Sequence, residues 1–162
     1  TDRDVVSQVN GALLQGNKGY TNDLGTHVPM FAYWPGKIAP GSINHNLIDF
    51  TDFVPTLLEA AGAEIKKEER ALDGISFYPQ LIGKAKAKNV RDWVFCHYDP
   101  NWGNFEPRTF IQNTRLKLYK NGEIYRLTDD LYEKQPLQKS DLDKKSKKTI
   151  RNFEKVLTEM GS

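Results

Sequence analysis

LKLYKNGEIYRL, residues 116–127, carries the clearest structural signal in the chain. Leu116-Lys117-Leu118-Tyr119-Lys120 alternates with a period of two, breaks at Asn121-Gly122, and resumes as Glu123-Ile124-Tyr125-Arg126-Leu127. Successive side chains of a strand point to opposite faces, and Asn-Gly readily adopts the positive-φ backbone of a two-residue turn. The stretch is therefore a β-hairpin, with Lys117 and Lys120 expected on a solvated face.

Working outward, the chain passes an acidic turn at Asp129-Asp130 and then Pro136. A helix is expected from about Asp141, because Ile150, Phe153, Val156, Leu157 and Met160 are spaced for one apolar face. In the other direction Thr109 to Gln112 reads as a strand, and Trp93 to Tyr98 as another. Four antiparallel strands with a C-terminal helix make a small α+β layer, assigned to residues 87–162. Lys84-Ala85-Lys86-Ala87-Lys88 reads as a solvated linker and sets the boundary, leaving residues 1–86 as an α/β portion.

Within that portion Thr51 or Asp52 caps a helix whose stripe is Phe53, Val54, Leu57, Leu58 and Ala61, closed by Gly62. Pro55 lies in the first turn, where its missing N–H matters little. One side of this helix is expected to lie on a sheet. Residues 63–71 read as a charged surface connection and residues 72–76 as a turn, while Phe77 to Ile82 is a short amphipathic segment. Upstream, Ile43 to Phe50 is extended and residues 35–41 form a Pro/Gly-rich turn. The apolar run Val28 to Trp34 reads as a buried strand bounded by Pro35-Gly36. Just before it, Gly16-Asn17-Lys18-Gly19 is a turn that delivers a cation to the strand's mouth, where α/β proteins keep anion sites. Residues 2–15 admit either a short helix, weakened by Gly11, or an irregular surface connection.

The bulk properties exclude several classes. The chain has 162 residues, 38% hydrophobic and 27% charged, with a net charge of +2. That charge balance does not describe a general polyanion binder, and Lys144 to Lys148 reads as a solvated helix face with no stacking aromatics nearby. No nucleic-acid partner is expected. No membrane partner is expected either, since no segment approaches the roughly 20 apolar residues of a span. The N-terminus has no charged-then-apolar signal pattern and no initiator Met, as expected of a processed chain or an excised piece. One cysteine, Cys96, excludes an internal disulfide and a Cys-rich metal site, and its neighbours suggest a small buried apolar side chain.

The collinear set of motifs resembles the C-terminal part of a formylglycine-dependent sulfatase of the arylsulfatase type, in the alkaline-phosphatase-like superfamily. The matching residues are Lys18-Gly19 with Gly25, Val28-Pro29, and Trp34-Pro35-Gly36-Lys37-Ile38. Asp52-Phe53-Val54-Pro55-Thr56-Leu57-Leu58 with Ala61-Gly62 is similar to the family's D-x-x-P-T-L-L-x-x-A-G helix. Leu72-Asp73-Gly74-Ile75-Ser76 is similar to its L-D-G-x-S turn. Arg115 to Tyr119 and Ile124 to Asp130 resemble strands of its C-terminal subdomain. The resemblance implies an α/β fold, namely the end of an alkaline-phosphatase-like sandwich followed by the small subdomain.

It also implies a sulfuric ester hydrolase whose nucleophile, a formylglycine made from a C/S-x-P-S-R motif, works beside a divalent metal, usually calcium. That motif is absent here; Cys96 is followed by His97-Tyr98. The resemblance places the metal ligands upstream too, so no metal residue is assigned in this chain and the isolated fragment is expected to be inactive. One contact carries over. Lys18 matches the lysine that touches the sulfate and neutralises charge developing on the ester oxygens; the alternative is a solvated turn lysine. Substrate-side candidates are His97 and Trp102, in a polar-aromatic loop suited either to a sugar ring or to a packed corner. Asn22 and Asp23 could border the pocket; His27 is read as structural and His45 as exposed. The expected partner is a sulfated small molecule or glycan, and family habit implies a periplasmic or secreted enzyme. Alternatives are a phosphodiesterase or phosphonate hydrolase of the same superfamily, or a non-catalytic carbohydrate-binding module built on Trp102, Tyr98 and His97. Open sheet edges are expected to favour self-association of the fragment.

Overall fold

A computed structural model describes residues 5–9, 11–63, 72–86 and 90–160. Along the chain the elements are β1 (Val6–Val9), β2 (Ala12–Gln15), α1 (Asp23–Thr26), α2 (Phe53–Ala60) and α3 (Tyr78–Leu81). They continue as β3 (Val94–Tyr98), β4 (Arg108–Gln112), β5 (Leu116–Tyr119), β6 (Ile124–Arg126) and α4 (Lys144–Met160). These form two units, one made of the residues up to Pro29 together with those from Phe95 onward, the other of Met30–Val94. The edges lie at 29/30 and 94/95, while the lysine-rich linker had set the sequence boundary at 86/87. The charged connection read at 63–71 lies outside the described residues except for Ala63, as do Ala87 and Lys88 of the linker.

The first unit is built on the sheet β3-β4-β5-β6. Antiparallel pairing sets Phe110 opposite Tyr119, Ile111 opposite Leu118, and Leu118 in turn opposite Ile124. The turn is a three-residue loop, Lys120 to Gly122, and not the two-residue Asn-Gly turn expected: the Tyr119 N–H donates to the Glu123 carbonyl and the Gly122 N–H to the Tyr119 carbonyl, both at 2.9 Å, and Gly122 alone takes the positive φ, 93°. All four residues of β5 are buried, so both faces of the sheet are covered. α4 packs on β4 and β5 and buries Ile150, Phe153 and Leu157. Its start is fixed by Asp143, whose carboxylate accepts from the Ser146 N–H at 2.7 Å. The opposite face carries the aromatic cluster Phe110, Tyr119 and Tyr125, with half-buried Cys96 against it. The same unit holds the antiparallel hairpin β1–β2, with Val9 opposite Ala12 and Gly11 at φ 83. Residues 2–15 are thus neither helix nor irregular connection where described. Val6 and Leu13 are mostly exposed, so no helical stripe had a core to face.

In the second unit α2 follows a 3₁₀ turn, Phe50–Asp52, and its first turn is organised by a joint that the motif spacing hides. Asp52 is the N-cap residue of α2, as the sequence suggested, but its side chain makes no cap bond to that helix; Asp49 caps the preceding 3₁₀ turn, its carboxylate accepting from the Thr51 N–H at 2.9 Å. Asp52 turns inward and accepts from the Asp49 N–H (2.9 Å), the Ile75 N–H (2.7 Å) and the Arg91 guanidinium. Thr56 donates its hydroxyl to the Asp52 carbonyl at 2.6 Å and accepts from the Phe77 N–H at 2.9 Å. A Cβ on Gly74 would come within 2.0 Å of the Thr51 carbonyl oxygen, so only glycine fits. The D-x-x-P-T and L-D-G-x-S motifs are two halves of one structural contact.

Two expectations for this region change. Val28 to Trp34 pairs with no strand among the described residues, and Val28, Phe31 and Tyr33 stand mostly exposed. A strand needs neighbours to satisfy its N–H and C=O groups, and no described segment offers them. Likewise, within its own unit and among the described residues, α2 lies against α3 and the 3₁₀ turn and meets no sheet, and Val54 and Leu57 are exposed. Among the described residues no helix is long and apolar enough to cross a membrane.

Candidate functional site

Lys18 stands exposed on a turn held by several backbone contacts. The Tyr20 N–H donates to the Asn17 carbonyl at 3.0 Å, and Gly19 adopts φ 93, in the left-handed region. Gly19 is required twice over, because a Cβ there would come within 2.4 Å of the Phe105 ring. Gly25 closes the loop from the other side: its Cβ would fall 2.2 Å from the Tyr20 carbonyl oxygen and 2.5 Å from that of Asn17. Between them Asn22 caps α1, its side-chain oxygen accepting from the Gly25 N–H at 3.1 Å.

The sheet of the same unit grips this loop at three points. The Tyr98 hydroxyl donates to the Gly19 carbonyl at 2.9 Å. Phe105 packs over Gly19 and meets Tyr20 and Trp102 edge-on, with ring centroids 5.5 and 4.9 Å away. Thr21, buried, takes the third contact: the Lys117 ammonium donates to its carbonyl, and its hydroxyl lies 2.9 Å from the Tyr119 hydroxyl.

Lys117 is therefore not solvated. It is fully buried, pairs with the Glu133 carboxylate at 2.9 Å, and stands 3.8 Å from the centre of the Phe110 ring. Glu133 also accepts from the Tyr119 hydroxyl at 2.5 Å. Burial pushes the Lys117 ammonium down from its ordinary range, with Glu133 opposing that shift. Tyr119 is pushed up, first by burial and then by its hydrogen bond to Glu133. The alternation that suggested a wet face is real, but that face is covered by residues far away in sequence.

Phe105 links Gly19, next to Lys18 in the chain, with Trp102, which is 57% exposed. His97 is adjacent to Tyr98 in β3 and so points to the opposite face; its Nδ1 lies 2.8 Å from the Thr109 hydroxyl. Asn22 is occupied by its capping role, and Asp23 lies 3.3 Å from the His27 ring nitrogen, which raises the His27 pKa. His27 and His45 are exposed. Phe105, Thr21, Tyr119 and Glu133 were not singled out from the sequence. Gly19 beside Lys18 was the available hint of a close contact there; nothing local announces the Thr21–Lys117 contact. Chemically, the loop offers an exposed lysine on a hydrogen-bonded turn, and Phe105 ties that turn to an exposed tryptophan; these residue types suit an anionic group carried on a ring. Among the described residues no group of three or more His, Cys, Asp or Glu could hold a metal ion.

Comparison with known proteins follows the same lines. The family model described as N-sulphoglucosamine sulphohydrolase, C-terminal, matches residues 17–161. The chain is 35% identical over 114 residues to the uncharacterized sulfatase YdeN of Escherichia coli (strain K12), covering 64% of this chain and 20% of that protein. It is 37% identical over 102 residues to an ulvan-active sulfatase of Formosa agariphila, covering 61% and 20%. To arylsulfatase A of Homo sapiens it is 38% identical over 98 residues, covering 60% and 19%. A solved protein in complex with its substrate D-glucosamine-2-N,6-O-disulfate superposes with a TM-score of 0.51 at 24% identity, over 66% of this chain and 23% of that one. The last is a likeness of fold. The chain spans about a fifth of the length of the curated relatives it matches.

Proposed function

The chain belongs to the N-sulphoglucosamine sulphohydrolase C-terminal family, and from that premise we propose that it is the C-terminal part of a sulfuric ester hydrolase. In this reading the parent protein hydrolyses the sulfate ester of a small molecule or glycan, and Lys18 contacts the sulfate. The observation that carries it is the Lys18 turn itself, which Tyr98, Phe105 and Lys117 hold from three sides. A fixed ammonium stabilises dispersed negative charge on a transferring group without reorganising at the moment of reaction. Trp102 would lie along the substrate's ring and Asn22 and Asp23 would border the pocket, while His97, on the other face of β3, would stand apart from it.

In this reading a formylglycine would supply the nucleophile and a calcium ion would supply charge neutralisation at the sulfate. The family resemblance assigns both to the upstream part of the parent, and no step is assigned to them here. In this reading the isolated chain is expected to be inactive as a sulfatase. A glycan substrate accords with the ulvan-active relative. The reading carries a periplasmic or secreted location, which fractionating cells that make the parent would check. It also carries self-association of the isolated chain through its exposed apolar residues.

The test is Lys18→Ala in the full-length parent, assayed with an aryl sulfate. Loss of one preorganised contact to a developing anion predicts a fall in kcat/KM of about 10²-fold or more. A fall of less than twofold in a folded variant removes the sulfate role from Lys18.

A further inference from the structure

We propose that Lys117 is a positioning residue for Lys18, acting through the Thr21 carbonyl, with Glu133 and Tyr119 completing the device. The inference rests on the reading of Lys18 as the sulfate contact. Lys18 is exposed, so its direction depends on the backbone that carries it. That backbone is tied at Gly19 by Tyr98 and at Thr21 by Lys117 and Tyr119.

Packing alone does not account for Lys117. Its strand neighbours Leu116 and Leu118 fill core positions as apolar residues do, yet the fully buried side chain between them carries a charge. An ammonium has three N–H donors and no acceptor. One goes to the Thr21 carbonyl, one to Glu133, and the third side of the group faces Phe110. All of its capacity is used, and the part an apolar side chain could not supply is the grip on Thr21. Glu133 supports the same reading from the opposite direction. It has φ 56, and among the described residues no other non-glycine residue has positive φ. Such backbone persists where surroundings over-determine it; here the carboxylate bridges Lys117 and Tyr119 at 2.9 and 2.5 Å.

The experiment is a set of double-mutant cycles in the full-length parent, read as kcat/KM on an aryl sulfate. Lys18→Ala, Lys117→Met, Lys117→Arg and Tyr119→Phe are made singly, and the last three again with Lys18→Ala. If Lys117 works through Lys18, Lys117→Met lowers kcat/KM about 10- to 100-fold in the parent. Lys117→Arg recovers part of that, and Lys117→Met costs less than twofold further once Lys18 is alanine. Tyr119→Phe, which removes one hydroxyl and keeps the ring, gives the same pattern at smaller size and decides the matter if Lys117→Met does not fold. Hydrogen exchange in Tyr119→Phe should quicken over residues 17–25 and stay unchanged over 144–160. Equal losses in both backgrounds, or no loss from either core variant, overturn the positioning role. A near-normal Lys18→Ala single variant overturns the sulfate reading, and the positioning role with it. The single variant and the cycles thus separate the two failures.

Discussion

Asp23 and His27 sit one helical turn apart at the edge of the Lys18 loop, and their contact is a titratable brace on it. The hydrogen bond to Asp23 raises the His27 pKa against the opposing effect of partial burial. The sign follows: a raised folded value means the contact stabilises fully below the unfolded pKa of about 6.5 and is lost as pH rises through the folded one. We expect the His27 ring, followed by NMR titration, to fall toward about 6.5 in Asp23→Asn; an unchanged midpoint would show that Asp23 is not the cause. Single residues were also where sequence reasoning was least able to see. Lys18 and Lys117 are the same residue type, each in a polar neighbourhood. One is exposed and the other is buried beneath Thr21. The difference lies in contacts spanning nearly a hundred positions, which no local pattern encodes.

Among elements, legibility followed the range of the interactions. The hairpin β5–β6 and the helix α4 were legible because a period of two, an Asn-Gly turn and a period of 3.6 are local statements. The run Val28 to Trp34 was misread because apolar content says that a segment is to be covered, not that a partner strand is present. The hairpin β1–β2 was missed although Asn10-Gly11 carried the same turn signal, since the flanking Val5-Val6 and Leu13-Leu14 pairs break the alternation. The D-x-x-P-T motif was legible as a helix start but not as a joint. Asp52 is 1% exposed and its pairing with Arg91 is nearly dry. Arg91→Ala strands that carboxylate, and breaking one side of a buried pair costs about 3–5 kcal/mol. Urea unfolding of the chain should show a midpoint lowered to match. A change below about 1 kcal/mol, the scale of an exposed pair, would mean that the joint is solvated in solution.

For the molecule as a whole, the second unit leaves much apolar surface in water. Phe31 and Tyr33 are more than nine-tenths exposed, and Ile43, Phe50 and Leu57 mostly so. Isolated exposed apolar residues are ordinary, but a group of large ones is not. We therefore expect the isolated chain to scatter light as a species heavier than its 18.5 kDa. Phe31→Ser with Tyr33→Ser should move it toward the monomer. A monodisperse monomer before substitution would count against self-association.

The grip of Lys117 on Thr21 also sets an order in time. The two residues are 96 positions apart, so the loop that carries Lys18 leaves the ribosome long before its anchor exists. At typical synthesis rates the interval is roughly 5 to 20 s. Throughout it the turn lacks its inner contact, and the segment between must stay soluble without it. The geometry of the turn is therefore a late event in the chain's life, completed only when the last sheet closes.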